Sequence, residues 1–432
     1  MKFPGQRKIK HYFPVTTPKA THQVNKSQKI ESHICGIDQT LVDIEAPVSQ
    51  EFLDRFDLLK GTSCLVDDAQ AETIYGALLD AKSISHEFAG GTIGNTLHNF
   101  SVLSDNRSVL FGVISDPIRA KGYAYKYLCN TSSKVDLDYL QPVSGPIGRC
   151  FTLISEDGER TFAFNQGMAN ALTQDNVDES VISKSSALVI SAYLMRVGEG
   201  DTINTATLNA VELANKHDVP VVLSLGTKQL IAENPGWWLE FIEKHVSVLA
   251  MNEEEAETLT GFDDPLLASE KALSVCDLVL LTAGSEGLYL SGYTDFDLKR
   301  ETKNPLKTGK IADFNQFEFS RAMKKSDCSE PMMVFSHIEP YMGGPEKIKN
   351  TNGAGDGALS ALLHDMAANH YHKQHFPNSS KHLKSALMYS SFAQVCKYSN
   401  RVSFEMLNQH SPRLSKGLPE REDSLEEAYW EM

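Results

Sequence analysis

Two features are scarce in this sequence, and each scarcity excludes a class of protein. No stretch of its 432 residues has the run of about 20 apolar residues that a membrane-spanning helix needs. Positive charge is in deficit, because 41 lysines and arginines face 56 acidic residues, which leaves a net charge of −15. A surface of that sign repels nucleic acid and anionic membranes. We therefore expect neither as a partner, and any bound phosphate must be held by local groups.

Cysteine is also sparse, and its distribution carries information. The seven cysteines are an odd number, lie far apart and form no C-x-x-C pair. This pattern argues against a disulfide framework and against a zinc site, and it is typical of a reducing compartment. The N-terminus is basic but lacks the apolar segment of a signal peptide. A cytoplasmic location is the expectation.

Length and composition are those of a globular protein with a sizeable core, since 41% of the residues are hydrophobic and 22% are charged. Residues 1–31 are polar and basic and predict a flexible arm, either solvated or touching a nucleotide or a partner subunit. We expect residues 32–410 to form one domain, with a long, irregular insertion at 291–349. Residues 411–432 predict an acidic tail without an ordered strand or core helix.

The order of apolar segments indicates the fold class. A first strand begins near Ile34, a helix is expected from about 67 to 81, and residues 149–154 and 160–164 predict a hairpin within a small separate sheet. From residue 186 onward, helix-like segments separate short apolar runs at 187–191, 219–224, 246–250 and 278–282. This alternation predicts a parallel sheet covered by helices on both faces, an α/β fold that binds ligands at the carboxyl ends of its strands.

The most informative stretch is 350–363, a glycine turn that runs into an Ala- and Leu-rich helix. Backbone amides of Gly353, Ala354 and Gly355 at a helix N-terminus can hold an anion. Asp356 would repel a phosphate bound there, so it is a candidate proton acceptor beside a transferred group. An ordinary turn with an aspartate cap explains the same residues, and this stretch alone leaves both interpretations open.

Polar turns follow the third and fourth apolar runs of the predicted sheet. Asn252 and Glu255 open an acidic helix, which simple complementarity to the helix dipole could also explain. Thr282, Gly284 and Gly287 form a second glycine turn that could contact phosphate. Combined with the Asp356 turn, they favour a phosphoryl-transfer site that uses magnesium.

A further set of candidates lies early in the chain. Asp38 and Asp43 fall in the first predicted strand, and an ionised carboxylate can accept hydrogen bonds from two sugar hydroxyls. Gly90 and Gly91 precede a helix that carries Asn95, so the backbone could approach a ligand closely there. Surface alternation and a plain tight turn are the alternative explanations.

Together these motifs resemble those of the ribokinase (PfkB-type) family of carbohydrate and nucleoside kinases, from about residue 34 to residue 400. The most specific match is the turn at 351–356. The resemblance implies a ribokinase-like α/β fold, with a central, mostly parallel sheet flanked by helices. It also implies a small β-sheet lid, built from parts of 38–60 and 107–170.

The resemblance also implies roles for individual residues. Asp356 resembles the catalytic base, beside an anion hole formed by Gly353, Ala354 and Gly355. Asn252 and Glu255 resemble the motif that positions Mg²⁺ through water or phosphate. The residues that resemble the ATP-binding positions are Thr282, Gly284, Gly287 and Asn400. Those at the acceptor-sugar positions are Asp38, Asp43, Gly90, Gly91 and Asn95.

Within that family, residues 36–45, 88–96, 145–151, 250–255 and 341–356 are most similar to members that phosphorylate purine nucleosides. The expected reaction transfers the γ-phosphoryl group of MgATP to the 5′-hydroxyl of inosine or guanosine. Arg196 is our hypothesis for the residue that recognises the base, because a guanidinium can donate to both O6 and N7 of these purines. A solvent-facing arginine is the alternative.

The sequence is also compatible with other functions. A fructose or ribose kinase of the same family and a non-catalytic nucleotide sensor share most of these motifs. Asn350 occupies a position where the family often has aspartate, so activation by a monovalent cation such as K⁺ is undecided. A homo-oligomer is compatible with everything above.

Overall fold

The computed structural model describes residues 33–104, 106–196, 198, 200–302, 316–415 and 417. Their contacts divide the chain into two compact units. One unit, here called the N-terminal unit, contains residues 33–98 and 107–250. The other, the C-terminal unit, contains residues 99–106 and the described residues from 251 onward. The arm predicted at 1–31 lies outside the described residues.

A parallel sheet forms the core of the N-terminal unit. Its strands pair in the order β12-β11-β10-β1-β5, and the short strands β6 and β7 both pair with β5. The bounds are β1 Ile34–Ile37, β5 Ser108–Ser115, β6 Val135–Asp136, β7 Leu140–Val143, β10 Leu188–Ser191, β11 Val221–Ser224 and β12 Val248–Asn252. The first three apolar runs that predicted a parallel sheet are therefore strands of it.

A second sheet of five strands lies in the same unit, in the order β3-β9-β8-β2-β4. Its bounds are β2 Leu41–Pro47, β3 Ser63–Leu65, β4 His86–Ala89, β8 Gly148–Ile154 and β9 Arg160–Asn165. Strands β8 and β9 form the predicted antiparallel hairpin, and the amide of Gly158 closes its turn by donating to the carbonyl of Ser155 at 2.8 Å.

The sequence predicted one strand from Ile34 onward, and this was wrong. The chain leaves the parallel sheet after Ile37 and enters the second sheet at Leu41. The amide of Asp38 still donates to the carbonyl of Phe111 in β5, at 3.0 Å, and the Thr40 hydroxyl donates to the carbonyl of Val113. Residues 38–40 therefore form the link between the two sheets.

Strands of the C-terminal unit are antiparallel. β14 (Leu288–Asp295) pairs with β13 (Leu278–Thr282) on one side and with β15 (Pro331–Ile338) on the other. We expected residues 291–349 to be irregular, and this was wrong for β15 and the end of β14. Val334 and Phe335 are buried, so a polar segment overall contains one strand with an apolar centre.

Helices of the N-terminal unit include α2, which was predicted from about 67 to 81. They are α1 Gln50–Arg55, α2 Asp68–Asp80, α4 Tyr123–Cys129, α5 Glu179–Ile182, α6 Ile203–Lys216, α7 Lys228–Glu233 and α8 Pro235–His245; α3 (Thr92–Ser104) also begins in this unit. The C-terminal unit contains α9 Glu253–Thr260, α10 Pro265–Ala272, α11 Ala354–His375 and α12 Phe392–Leu407. No helix among the described residues is long and apolar enough to cross a membrane.

Helices α11 and α12 pack together in the C-terminal unit. The hydroxyl of Ser399 donates to the carbonyl of Ala358, and that of Ser403 donates to the carbonyl of Ala354, each at 3.0 Å. Leu414 is buried in the same hydrophobic cluster, next to Leu103 and residues of both helices. The beginning of the segment predicted as a loose acidic tail is thus part of this core.

Candidate active site

Asp38 lies at the carboxyl end of β1 and is 3% exposed. Its Oδ2 accepts a hydrogen bond of 2.6 Å from the amide of Gly94, in the first turn of α3. The partial positive charge of a helix N-terminus favours a carboxylate at this place. Asp38 therefore provides a hydrogen-bond acceptor for one of the first amides of α3, and it lies beside the turn that precedes this helix.

Gly90 and Gly91 connect β4 to α3, and each lies against one aspartate. A Cβ atom at Gly90 would be 2.5 Å from Oδ2 of Asp43, and one at Gly91 would be 2.2 Å from Oδ2 of Asp38. Gly91 also has a φ of +90°, in the region that favours glycine. Only glycine fits either place, because any side chain would collide with a carboxylate.

Asn95 completes this group, which we call the acceptor group: Asp38, Asp43, Gly90, Gly91 and Asn95. Asn95 is 5% exposed, and its backbone amide donates to the carbonyl of Gly91 at 2.8 Å, within the first turn of α3. The sequence suggested two separate signals, a strand with two acids and a glycine turn. The N-terminal unit places them in direct contact.

Arg196 follows the 3₁₀ turn Ala192–Met195, immediately after β10. Its guanidinium lies 5.4 Å from the centre of the Tyr193 ring, and the Tyr193 hydroxyl donates to the carbonyl of Gly226 at 2.7 Å. β1 and β10 are neighbouring parallel strands, so Arg196 and Asp38 follow the same end of the sheet. The cation–π contact holds the guanidinium close to a fixed ring.

Sequence reasoning missed a set of hydrogen-bonded side chains beside Asp38. Gln39 donates from Nε2 to Oδ1 of Asn170, whose Nδ2 donates to Oδ2 of Asp201 at 2.9 Å. Gln166 donates to the other oxygen of Asp201, also at 2.9 Å. No local motif indicates this set, because 131 residues separate Gln39 from Asn170.

A buried arginine in the second sheet has a structural explanation. Arg149 on β8 is fully buried, and it pairs with Glu72 at 2.7 Å and donates to Oδ1 of Asn165. Its guanidinium also lies 4.9 Å from the centre of the Tyr123 ring. These contacts connect the sheet to α2 and α4, so the charge is paired within the protein.

In the C-terminal unit, the turn before α11 is packed against the chain that follows α12. Gly353 precedes the helix with a φ of +82°, and a Cβ there would be 2.9 Å from atoms of Pro412. Asn350 donates to the carbonyl of His410 at 2.7 Å and accepts from the amide of Asn352 at 2.9 Å. The chain after α12 therefore fixes the turn from behind.

The N-terminus of α11 has no side-chain cap. Asp356 is the third residue of the helix and is half-buried, so it does not occupy the capping position that one interpretation of the sequence gave it. Backbone amides at an uncapped N-terminus can bind an anion. Gly353, and not Asp356, is therefore the N-cap residue of α11.

Asn252 and Glu255 form a capping box at the beginning of α9. The amide of Glu255 donates to Oδ1 of Asn252, and the amide of Asn252 donates to Oε2 of Glu255, both at 2.9 Å. The carboxylate of Glu255 is buried and also accepts from Nδ2 of Asn252 at 3.1 Å. Both side chains have a structural role, beyond the role in metal positioning that the resemblance implies.

The glycine turn after β13 lies beside α9. Gly287 has a φ of +96°, and a Cβ there would be 2.1 Å from the carbonyl oxygen of Ile338. A Cβ at Gly284 would be 3.4 Å from Oε1 of Glu253, the first residue of α9. The C-terminal unit thus brings the Thr282 turn and the Asn252 motif together.

Asn400 in α12 uses its carboxamide within the protein. Nδ2 donates to the carbonyl of Glu339 at 2.8 Å, and Oδ1 accepts from the amide of Tyr341 at 3.2 Å. The neighbouring Arg401 is buried, with its guanidinium 4.4 Å from the centre of the Tyr341 ring. Asn400 therefore positions the chain at 339–341, and the structure gives this residue a supporting role.

The donor atoms fit magnesium rather than a softer metal. Among the described residues, no three His, Cys, Asp or Glu side chains lie close enough to hold a metal ion by themselves. Mg²⁺ prefers oxygen ligands, keeps several waters and often binds through substrate phosphates and one or two carboxylates. In the C-terminal unit, Glu255 supplies one such carboxylate, next to Asn252.

The family model described as pfkB family carbohydrate kinase matches residues 65–308. The chain is 60% identical over 433 aligned residues to the guanosine-inosine kinase of Escherichia coli K12, with all of both chains covered.

Among solved structures, it resembles the adenosine kinase of Sinorhizobium meliloti, with a TM-score of 0.64, 20% identity and 92% and 99% of the two chains covered. A probable sugar kinase protein of Rhizobium etli CFN 42 gives a TM-score of 0.65, 18% identity and the same coverage. The ribokinase-like fold expected from the sequence is confirmed.

Proposed function

This chain belongs to the pfkB family of carbohydrate kinases, and from that premise we propose that it is a nucleoside kinase that phosphorylates guanosine and inosine. The observation that carries the proposal is the 60% identity to a guanosine-inosine kinase over the whole of both chains. The reaction transfers the γ-phosphoryl group of ATP to the 5′-hydroxyl of the nucleoside, which gives GMP or IMP and ADP. Such a reaction belongs to purine salvage.

Asp356 is the general base of this proposal. It takes the proton of the 5′-hydroxyl as the bond between that oxygen and the γ-phosphorus forms. The bond between the γ-phosphorus and the ADP oxygen breaks in the same step. The uncapped amides at the beginning of α11, next to Gly353, Ala354 and Gly355, stabilise the negative charge on the transferred group.

The acceptor group holds the ribose in this proposal. Asp43 accepts hydrogen bonds from two neighbouring hydroxyls, because a carboxylate offers two acceptor oxygens. Gly90 and Gly91 permit the two carboxylates to approach this turn closely, which supports this assignment. Asp38 and Asn95 are hydrogen-bonded to the turn that begins α3, and they keep this turn in place beside the ribose.

ATP and magnesium belong to the C-terminal unit in this proposal. The turn of Thr282, Gly284 and Gly287 binds the nucleotide, and Asn252 and Glu255 position Mg²⁺ through water or phosphate. Magnesium, when bound, neutralises charge on the phosphate oxygens. A monovalent cation such as K⁺ is a further part of the proposal, at the turn that begins with Asn350.

Arg196 recognises the purine in this proposal. Its guanidinium donates to O6 and N7, which guanine and hypoxanthine present on the same edge and adenine does not. Its contact with Tyr193 supports the role, since a restrained guanidinium loses less freedom on binding. Arg196→Ala is expected to lower the preference for guanosine over adenosine by about 10- to 100-fold. Tyr193→Phe, which keeps the ring, is the matched control.

Location and assembly complete the proposal. All seven cysteines are free, which supports a reducing cytoplasm. A homo-oligomer is compatible with the proposal, and the basic arm at 1–31 could contribute to it.

The test is ATP-dependent phosphorylation, with magnesium, of guanosine, inosine, adenosine, ribose and fructose. We expect turnover of guanosine and inosine above the other three. Turnover only of free sugars would show that the nucleoside assignment is wrong and would favour a sugar kinase. Binding of nucleosides without any turnover would favour the non-catalytic alternative.

A further inference from the structure

Beside the acceptor group, the carboxylate of Asp201 collects three hydrogen bonds. Its Oδ2 accepts from Nδ2 of Asn170 at 2.9 Å and from the amide of Gly198 at 3.0 Å, and its Oδ1 accepts from Nε2 of Gln166 at 2.9 Å. The carbonyl of Asn170 in turn accepts from the amides of Thr202 and Ile203. Asn170 and Asp201 therefore hold the segment that follows Arg196.

These contacts determine which way two side-chain amides face. An ionised carboxylate can only accept, so Asn170 must turn its Nδ2 toward Asp201. Its Oδ1 then faces Gln39, which must present its own Nε2 as the donor. The Oε1 atom of Gln39 consequently faces away from Asn170, and it has no hydrogen-bond partner among the described residues.

Gln39 lies directly beside the residues proposed to bind the nucleoside. It follows Asp38 in the chain, its side chain is 93% buried, and a Cβ at Gly91 would be 3.0 Å from its backbone carbonyl. Oε1 is not among the side-chain atoms of the described residues that are both buried and unpartnered, so it remains accessible to solvent and to a ligand. An accessible acceptor of fixed orientation beside the acceptor group points to a hydrogen-bond donor on the ligand.

On the basis of the proposed function, we infer that Oε1 of Gln39 accepts a hydrogen bond from N1–H of a 6-oxopurine base, with its orientation imposed by Asn170 and Asp201. Hypoxanthine and guanine both carry a proton on N1. Adenine has a lone pair there instead, which faces the oxygen of Gln39 without a hydrogen bond. Gln39 is therefore a specificity residue, and Asn170 and Asp201 are positioning residues.

The first test is the pair Gln39→Ala and Asp201→Asn, with kcat/KM measured for inosine and adenosine. Gln39→Ala is expected to lower the inosine-to-adenosine ratio by about 10-fold or more, because only inosine loses a hydrogen bond. In Asp201→Asn the new carboxamide can donate as well as accept. The side-chain amides of Asn170 and Gln39 can then rotate by 180°, so that Gln39 can present Nε2 to N1 of adenine. We expect this variant to lower the same ratio through a gain with adenosine.

Gln166→Ala is the matched control, because it removes a hydrogen bond to Asp201 without affecting the orientation of Asn170. Its inosine-to-adenosine ratio should equal that of the unmodified protein. A second measurement uses 1-methylinosine, whose methyl group collides with the Gln39 side chain in the unmodified protein. Gln39→Ala makes room for that methyl group, so the rate with 1-methylinosine relative to inosine should increase.

Several outcomes overturn the inference. An equal loss of kcat/KM with inosine and adenosine would mean that Gln39 contacts the ribose. Unchanged kcat/KM values with both nucleosides would mean that it contacts neither the base nor the ribose. Thermal melting identifies a variant that does not fold, in which case the isosteric Asp201→Asn decides. If the unmodified protein phosphorylates no nucleoside, the proposed function fails separately, and calorimetric dissociation constants for inosine and adenosine then test Gln39.

Discussion

Two helices of this protein begin in the same way and differ in what meets their first amides. Gly91 precedes α3 with a φ of +90°, and Gly353 precedes α11 with a φ of +82°. At α3, the buried carboxylate of Asp38 accepts from an amide of the first turn, whereas α11 has no side-chain cap. A carboxylate accepts from a first-turn amide of α3, whereas the acidic residue in the first turn of α11, Asp356, is not its N-cap.

This difference separates the two roles proposed for these turns. A phosphate at the beginning of α3 would meet the charge of Asp38, so hydroxyl groups are the more suitable ligands there. At α11 the amides can stabilise the charge of a transferred phosphoryl group. Similar glycine turns thus acquire different chemistry from the position of the neighbouring carboxylate, which accepts from an amide at α3 and is not the N-cap at α11.

Removal of the proposed proton acceptor at α11 should have the largest effect. Asp356→Asn is expected to lower kcat by about 10²- to 10⁴-fold, because the amide cannot take the hydroxyl proton. Nucleoside binding, measured by calorimetry, should persist. Undiminished turnover in a purified variant would show that Asp356 is not the base.

The glycine before α3 can be tested by Gly91→Ala. The new Cβ would lie 2.2 Å from Oδ2 of Asp38 at a positive φ, so we expect a loss of about 3 kcal/mol in the free energy of unfolding. Gly158→Ala is the matched control, because its φ is +86° and nothing lies within 4 Å of the added atom. Equal losses in denaturant titrations would indicate backbone strain alone.

A buried histidine in α11 should make stability depend on pH. Burial lowers the pKa of His364 from 6.5 to about 3, so the folded protein keeps this ring neutral while the unfolded chain binds a proton below pH 6.5. Stability therefore falls as the pH falls. Between pH 7 and pH 5 the contribution of His364 to the free energy of unfolding should decrease by about 2 kcal/mol.

Denaturant titrations of the unmodified protein and His364→Leu at pH 7 and pH 5 measure this effect. The variant should lose about 2 kcal/mol less over the same interval. The same pH dependence in both proteins would assign it to other groups.

The smallest effect concerns the carboxylate at α3. Asp38→Asn keeps an acceptor for the amide of Gly94 but removes the charge, so we expect a loss of about 0.5–1 kcal/mol in the free energy of unfolding. Ser391→Ala, at the N-cap of α12, offers a comparison with an uncharged cap. An Asp38→Asn protein that is more stable than the unmodified one would show that Asp38 is strained for function.

Much of the fold followed from local patterns. The hairpin of β8 and β9 was predictable because two alternating segments flank the turn that ends with Gly158. Helix α2 and strands β10 to β13 were predictable because short periodic or apolar runs are separated by polar segments. Strand β15 was missed because its apolar centre is short and its partner β14 precedes it by more than 30 residues.

The candidate site was only partly accessible in the same way. The turn before α11 has a distinctive local sequence, so its residues could be selected directly. The contacts of Gly90 with Asp43 and of Gly91 with Asp38 could not be predicted, because they join segments about 50 residues apart. Asn400 was selected for ATP binding, and its contacts with residues 339 and 341 became visible only in the folded chain.

The sequence by itself determined the strand and helix alternation and the glycine turns, because apolar periodicity and the freedom of glycine act over a few residues. Only the tertiary structure decided that the chain changes sheets at Asp38, that α3 is capped and α11 is not, and that Asp201 orients Gln39. Those outcomes depend on hydrogen bonds between distant segments, and no local pattern specifies the partner of a buried polar group.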